Sequence, residues 1–578
     1  MKRKVLILSL ILIGIKATAQ GLQWAKSLMT ANAVDYCYGL TSNGNDRLGL
    51  IGLASSGTPL DWNGLDPASS VSSNYFTAIY DYNGNFQWSH VAPGYPYDIC
   101  MDVLGNTFVA GRFSGTVDFD PSSNSFPLTS AGGGYIQKFN AFGDFQWAVK
   151  DELDGHISQV TVGENNNIYY AGEIGINSVA TLSNGQTVNV NIGAYICELS
   201  PTGDLLNVWN IEVPGTAHYI YVYKLLVKNG KVYLAGSLDG VADFNVTAGQ
   251  TLNPQTNAYD AWIAQYDLAG GMALDWYRMV GAQGWDNFHG LEADNQGNVF
   301  AGGTFCWTVD FDTTQPGIFS LMSDNNTNTQ SIFFMQYNAA GITQWVKKIG
   351  NTNISGNYNV DEADVVLRDL RIKGTQIMVL GHGKGQILMD GVNVSTNIPT
   401  GSVAAPGLVI GEYDLTGSLV GAFNADTLGG PVGFFGGLDV HGLQPLQGNR
   451  WVVAGTFQQR INFGSDATPF YLQTDPTSSN YGFDRDIYVA CYGGFQGVGV
   501  KEISSAEKWC KVVNPVYDQL KIITDETKVK WKITSLFGQH VLGGSEKLTT
   551  LTSLSSGVYV IEVSGENQPI QRFQIYKN

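Results

Sequence analysis

Apolar and polar positions alternate in short runs along this chain, as in Ile487-Tyr488-Val489-Ala490-Cys491-Tyr492, and few segments hold apolar residues at helical spacing for long. A period of two predicts β-strands, whose successive side chains point to opposite faces. The runs recur in a fixed order. In one copy Ile99 to Val103 leads to a turn at Leu104-Gly105-Asn106 and a second strand, Phe108-Val109-Ala110-Gly111. A loop, a third strand (Tyr135 to Phe139), a turn at Gly143 and a fourth strand (Phe145-Gln146-Trp147) complete it. The second strand occurs seven times, starting at Leu50, Phe108, Tyr169, Tyr233, Phe300, Val379 and Val452, and a third strand follows each. A unit of this size cannot bury both its faces alone, so it must stack against its neighbours.

Six copies have a Gly turn after the third strand (Gly84, Gly143, Gly203, Gly270, Gly341, Gly417) and then a fourth strand, which carries Trp88, Trp147, Trp209, Trp276 or Trp345 in five of them. The seventh third strand, ending at Tyr492, has no successor, whereas Leu22-Gln23-Trp24-Ala25 opens the chain as an orphan fourth strand. Pairing the orphan with the last copy would close a ring and leave only short sheet edges. The expected fold is all-β: a seven-bladed β-propeller over residues 20–498, closed by the N-terminal strand, with six or eight blades as the alternatives. The long polar loops between second and third strands are expected to project from the ring and carry recognition.

These motifs resemble the β-propeller repeats of many bacterial secreted proteins, through the turn at Asp294, Gly297 and Asn298, the strand glycine Gly302, and the exit at Tyr266, Asp267 and Gly270. The resemblance implies a fold and no reaction.

Near residue 500 the pattern changes: a glycine-spaced linker, placed at 499–510, precedes short strands over 511–578 that are expected to form a small Ig-like β-sandwich. Asn514, Pro515, Asp518 and Leu520, then Gly538, then Leu554, Gly557 and Tyr559, with a basic end, resemble the type A C-terminal sorting domain of the type IX secretion system of Bacteroidetes. That resemblance implies passage through the outer-membrane translocon and removal of the domain by a sortase-like protease. The protein would then be released or held on the cell surface.

The beginning of the chain agrees with export. Met1-Lys2-Arg3-Lys4, an apolar run from Val5 to Ile15, and Ala17-Thr18-Ala19 read as a signal peptide over residues 1–19. No transmembrane segment is expected. The net charge of −18 falls in the middle of the chain, because the signal is basic and the tail slightly so. Such a body disfavours nucleic acid and anionic membranes, which are bound through Lys and Arg contacts to phosphate. Seventy Gly and 12% aromatic residues suit strands and tight turns. The six cysteines, in or beside apolar strands of different repeats, read as buried thiols.

Candidate chemistry is sparse. None of the seven His falls in a zinc-hydrolase pattern, and no nucleophile elbow or phosphate loop occurs. His289, His441 and Asp98 sit near the start of first strands, where they would line a central channel or simply pack. Asp118-Phe119-Asp120 recurs as Asp310-Phe311-Asp312. Two carboxylates at i and i+2 suit Ca²⁺, and a solvated strand edge or Asx turn with the aromatic packed inward explains the same pattern. No catalytic residue and no cofactor is assigned, Ca²⁺ through these four Asp being the open alternative. The expected function is a secreted or surface scaffold binding a glycan or a protein without catalysis. An exported hydrolase or lyase acting on polysaccharide or peptide, and a structural or adhesion component, are the other readings.

Overall fold

The computed structural model describes residues 22–28, 34–54, 75–214, 219–246, 251–252, 258–312, 317–324, 329–351, 365–383, 386–395, 407–427, 438–448, 450–458, 460–463, 470–474, 485–493, 510–512, 519–524, 528–535, 540–551, 557–565 and 571–577. The expected signal peptide and nearly all of the expected linker lie outside them. The described residues form strands and no α-helix. The chain divides into two compact units, Met1–Phe495 and Gln496–Asn578.

In the larger unit seven sheets share one plan of four antiparallel strands. Their first strands are Tyr36–Ser42, Tyr95–Met101, His156–Val162, Tyr219–Lys228, Asn287–Ala293, Val365–Lys373 and Leu438–Leu446. Their fourth strands are Phe86–Val91, Phe145–Lys150, Leu205–Glu212, Ala273–Val280, Thr343–Asn351 and Leu419–Thr427 in the first six sheets. In the seventh sheet the fourth place is taken by the N-terminal strand Leu22–Leu28, which pairs antiparallel with Arg485–Gly493. Trp24 stands opposite Cys491 and Leu28 opposite Ile487. First strands of successive sheets touch, and the first strand of the seventh sheet touches that of the first.

The apolar cores lie between sheets. Leu50, Ala78, Val452, Val489 and Leu28 join the seventh sheet to the first, and Leu380, Ile410, Val453 and Tyr488 join the sixth to the seventh. Second strands are covered on both faces, so Val299–Phe305 is buried at every residue and reads as an unbroken apolar run. Each large side chain fully buried this way contributes about 1.5–3 kcal/mol. Cys37, Cys100, Cys197, Cys306 and Cys491 are free thiols, four of them buried and Cys100 partly so.

The Trp and Gly positions interlock between neighbours. Trp24 lies against Gly84, Trp88 against Gly143, Trp147 against Gly203, Trp276 against Gly341 and Trp345 against Gly417. In each case the fourth-strand indole of one sheet covers the turn of the next. Trp88, Trp147 and Trp276 donate Nε1–H to turn carbonyls at 3.3, 3.1 and 3.2 Å. Gly341 has φ of +71°, and a Cβ there would stand 2.5 Å from Trp276 Cδ2. Backbone conformation and lack of space both demand glycine.

The loops between second and third strands fold back as hairpins where they are described. Ala242–Asp243 with Thr251–Leu252 extends the edge of the third sheet; Gln386–Met389 with Val392–Ser395 extends the fifth, and Arg460–Asn462 with Tyr471–Gln473 the sixth. These three hairpins cover sheet edges, which protects unpaired backbone groups.

The smaller unit has a three-stranded sheet (Cys510–Val512, Gln519–Thr524, Leu548–Thr550) and a four-stranded sheet (His540–Gly544, Val529–Ser535, Gly557–Gly565, Gln571–Lys577). Leu520, Ile522, Trp531, Ile533, Leu551, Ile561 and Val563 form its core. Of the motif residues, Leu520 is buried in that core, Gly557 starts a strand and Tyr559 packs against the cluster. Asn514, Pro515, Asp518, Gly538 and Leu554 lie outside the described residues.

Candidate functional site

Every first strand is bulged at the same place. The pairing register slips between Cys37 and Gly39, Pro96 and Asp98, Ile157 and Gln159, Val222 and Lys224, Phe288 and Gly290, Leu367 and Asp369, and Val440 and Gly442. The extra residues are Tyr38, Tyr97, Ser158, Tyr223, His289, Arg368 and His441. A bulge bends its strand and re-aims a side chain, and bulges cluster beside functional sites.

Around these bulges the sheets exchange polar contacts. Asp98 accepts the Val160 amide of the third sheet (2.8 Å), and Glu173 of the third accepts Val222 N–H of the fourth (2.7 Å). Lys224 reaches across to Asp369 of the sixth sheet (Nζ–Oδ1 3.3 Å). Asp369 also accepts Leu443 N–H of the seventh at 3.1 Å, and Arg371 pairs with Glu292 of the fifth at 3.2 Å. Gln444 Nε2 donates to the Leu40 carbonyl of the first sheet at 3.1 Å.

Burial sets the charge states. It pushes the Asp98 carboxyl up to about 6, partly opposed by the Val160 amide, and takes the His289 imidazole down to about 3, so that ring is neutral. Burial would also raise Asp369, but Arg371 and Lys224 outweigh it and hold the carboxyl below its usual range. Asp439 is likewise held low: the His441 imidazole, with the Arg368 guanidinium beside it, overcomes burial. Its contacts are His441 Nε2 and Arg368 Nη2, each at 3.3 Å. Carboxylates pinned to fixed cations are poorly placed to shuttle protons.

Near the starts of the first and third strands lie aromatic rings. Tyr38 lies 4.8 Å from Tyr95 between ring centroids, Tyr75 lies 5.1 Å from Tyr95, and Tyr97 lies 4.3 Å from His156. On the fourth and fifth sheets Tyr221 stacks on Tyr223 at 6.0 Å, Tyr223 on His289 at 4.6 Å, and Tyr259 meets Trp285 at 5.3 Å. Trp285 is 64% exposed and Tyr221 38%. Rings of this kind give broad stacking faces with polar tips.

His289, His441 and Asp98, expected near the starts of first strands, stand at or beside three of the bulges. The tyrosines were missed, though Tyr36-Ser42, Tyr95–Met101 and Tyr219–Lys228 each carry Tyr-x-Tyr, which alternation puts on one face.

The paired-Asp motif lies elsewhere, in the hairpins. Asp118 Oδ1 accepts the amides of Asp120 (3.1 Å) and Phe126 (2.7 Å), while Asp120 Oδ1 accepts that of Ser122 (2.9 Å). Asp310 accepts the amides of Asp312 (3.2 Å) and Gly317 (2.8 Å). The intervening Phe119 and Phe311 are buried, against Tyr135 at 5.1 Å and Phe333 at 4.7 Å. In the hairpin that follows the second strand of the seventh sheet, Asn462 accepts the Phe470 amide at 3.0 Å before buried Phe463. A neutral amide serves there as Asp118 does, so the loop closure does not depend on the negative charge. Among the described residues no group of three or more His, Cys, Asp or Glu could hold a metal ion.

Residues 514–577 match the family described as a secretion system C-terminal sorting domain. The tail therefore marks the chain for secretion or the cell surface and implies engagement with the type IX machinery. No curated protein matches the sequence. Among solved structures, a Bacteroides caccae protein of unknown function is 12% identical, with 56% of this chain and 93% of that one covered and a TM-score of 0.25. An extracellular domain from B. thetaiotaomicron is 9% identical (97% and 100% covered, TM-score 0.22). PorZ, a surface component of the type-IX secretion system of Porphyromonas gingivalis, is 11% identical (96% and 100% covered, TM-score 0.16). Scores this low carry no argument about function. Among the described residues no helix is long and apolar enough to cross a membrane.

Proposed function

We propose that this chain is a non-enzymatic glycan-binding scaffold, a seven-bladed propeller exported through the type IX translocon and displayed at the surface or released. In this reading residues 1–19 are a removable signal, 20–498 the propeller, 499–510 a linker, and 511–578 an Ig-like sorting sandwich cleaved by a sortase-like protease. Pairing of Leu22–Leu28 with Arg485–Gly493, together with the unbroken succession of first-strand contacts, supports a ring latched by its N-terminal strand. The bulged ends of the first strands then surround one mouth of that ring.

The observation that carries the binding role is the partly exposed array of tyrosines and Trp285 at that mouth, above carboxylates neutralised by Lys224, Arg368 and Arg371. Aromatic faces stack on the apolar faces of sugar rings, and their hydroxyls meet sugar hydroxyls. A hydrolase would need a proton donor and a free base; Asp369, Glu292 and Asp439 are engaged with cations, and Asp98, the carboxyl raised to about 6, is tied to the Val160 amide. A glycan array with the mature full-length chain tests the reading. Signal that Tyr38→Ala and Tyr95→Ala remove supports it; a silent array together with surface retention transfers the role to adhesion or structure.

A further inference from the structure

Tyr219 and Tyr221 alternate along the first strand of the fourth sheet and so share a face. They are 55% and 38% exposed, and Trp285, in the loop joining the fourth sheet to the fifth, is 64% exposed. Tyr259 links the two elements. Its ring centroid lies 5.9 Å from that of Tyr221, with the planes at 40°, and 5.3 Å from that of Trp285, with the planes at 63°. Planes inclined in this way make a corner, and most of the Trp285 surface stays open to solvent.

The charges beside this corner set it apart. Other partly exposed tyrosines carry one of the chain's own cations: Arg450 lies 4.5 Å over Tyr82, Arg460 3.6 Å over Tyr471 and Arg485 5.4 Å over Tyr36. Among the described residues no Lys or Arg covers Tyr221, Tyr259 or Trp285. Lys224 and Arg368 are paired with Asp369 and Asp439. A carboxylate stands by the rings instead. Asp239 lies directly opposite Tyr219 on the neighbouring strand, and residues so paired project to one face. The Tyr259 hydroxyl responds to that setting: burial first, then Tyr221 and Asp239, push it up to about 12. Aromatic faces attract a cation through their quadrupole, Trp most strongly, and a nearby carboxylate adds to the pull. The same carboxylate repels an acidic sugar.

We propose, resting on the glycan-binding role, that this corner receives the ammonium group of an amino sugar, so that the glycan recognised is one with free, unacetylated amines. The ammonium lies against the Trp285 and Tyr259 rings with Asp239 as its counter-charge. Isothermal calorimetry on the mature full-length chain tests this at about pH 6, below the range in which such amines lose their proton. The probes are a glucosamine tetramer, the same tetramer fully N-acetylated, and the corresponding glucose tetramer. The glucosamine tetramer is expected to bind at least about tenfold more tightly than either of the others, by a margin that shrinks as salt is raised. Trp285→Ala and Asp239→Asn should each cut the margin below about threefold. Trp285 sits in an exposed loop and Asn keeps the shape of Asp, so both variants report on binding with the fold kept. A margin that survives both substitutions overturns the proposal, as does a lysine tetramer that binds as tightly as the glucosamine tetramer. Equal binding of the three sugar tetramers overturns it while leaving the glycan-binding role in place. Silence from all three overturns it as well, and only a glycan array that is also silent removes the glycan-binding role.

Discussion

The two ends of the same strands follow opposite rules. At the turn end, sheets copy one another: Asp81, Asp102, Asp294 and Asp414 each use Oδ1 to accept the amides two and four residues on, and five indoles cover five turn glycines. At the bulged end the backbone repeats but the side chains do not. The seven bulge residues are three Tyr, two His, one Ser and one Arg. Repetition maintains the stacking of sheets, because every interface has the same geometry to satisfy. At the other end the backbone geometry is shared while the side chains are free to differ from sheet to sheet.

Removing residues 22–28 tests the comparison most severely. The seventh sheet would lose its fourth strand and Trp24 its cover over Gly84; loss of cooperative unfolding, with aggregation through the bared edge, is the expected result by calorimetry and light scattering. Next in size is Arg371→Met, which leaves Glu292 and buried Asp369 short of their shared cation. Stability should fall by about 3–5 kcal/mol in denaturant titration. A loss below about 1 kcal/mol would mean that the charges at this end contribute little to structure.

Gly341→Ala adds a Cβ against Trp276 in a backbone region that side chains avoid. It should cost about 2–3 kcal/mol, whereas Tyr97→Ala at the bulged end should cost under about 1 kcal/mol. Equal losses would erase the distinction between the ends. Asp98 gives a pH test. Its folded carboxyl is raised from 3.8 to about 6, so the folded state holds the proton more tightly than the unfolded chain. The stabilisation is complete below about pH 4 and is lost as pH rises through 6. At about 1.4 kcal/mol per unit, Asp98→Asn should remove a decline of about 2 kcal/mol between pH 4 and 7, read as the difference in melting temperature between variant and parent. An unchanged difference across that interval would place Asp98 in a more watery setting.

The local code was readable without coordinates. Period-two alternation marked the strands, Gly turns marked the hairpins, and the orphan strand at Trp24 pointed to its partner ending at Tyr492. The tail motif was equally plain, since an ordered set of residues over one module leaves few alternatives. Other features were hidden. The hairpins at 386–395 and 460–473 left no signal in the sequence, because joining a preceding sheet's edge has no local signature. The Asp-x-Asp pattern fitted both a cation and an Asx turn, and Asn462 in the equivalent place separates charge from hydrogen bonding.

Sequence alone determined that the chain is built of strands and where it is sent, because those properties depend on local periodicity and on contiguous motifs. Tertiary structure alone decided that Lys224 meets Asp369, that Arg371 meets Glu292, and that Tyr38 of the first sheet meets Tyr95 of the second. Such partners lie up to 145 residues apart in the chain. Only the bulges and the stacking of sheets bring them within hydrogen-bonding reach, and neither the register slip nor the order of neighbours leaves a mark in local spacing.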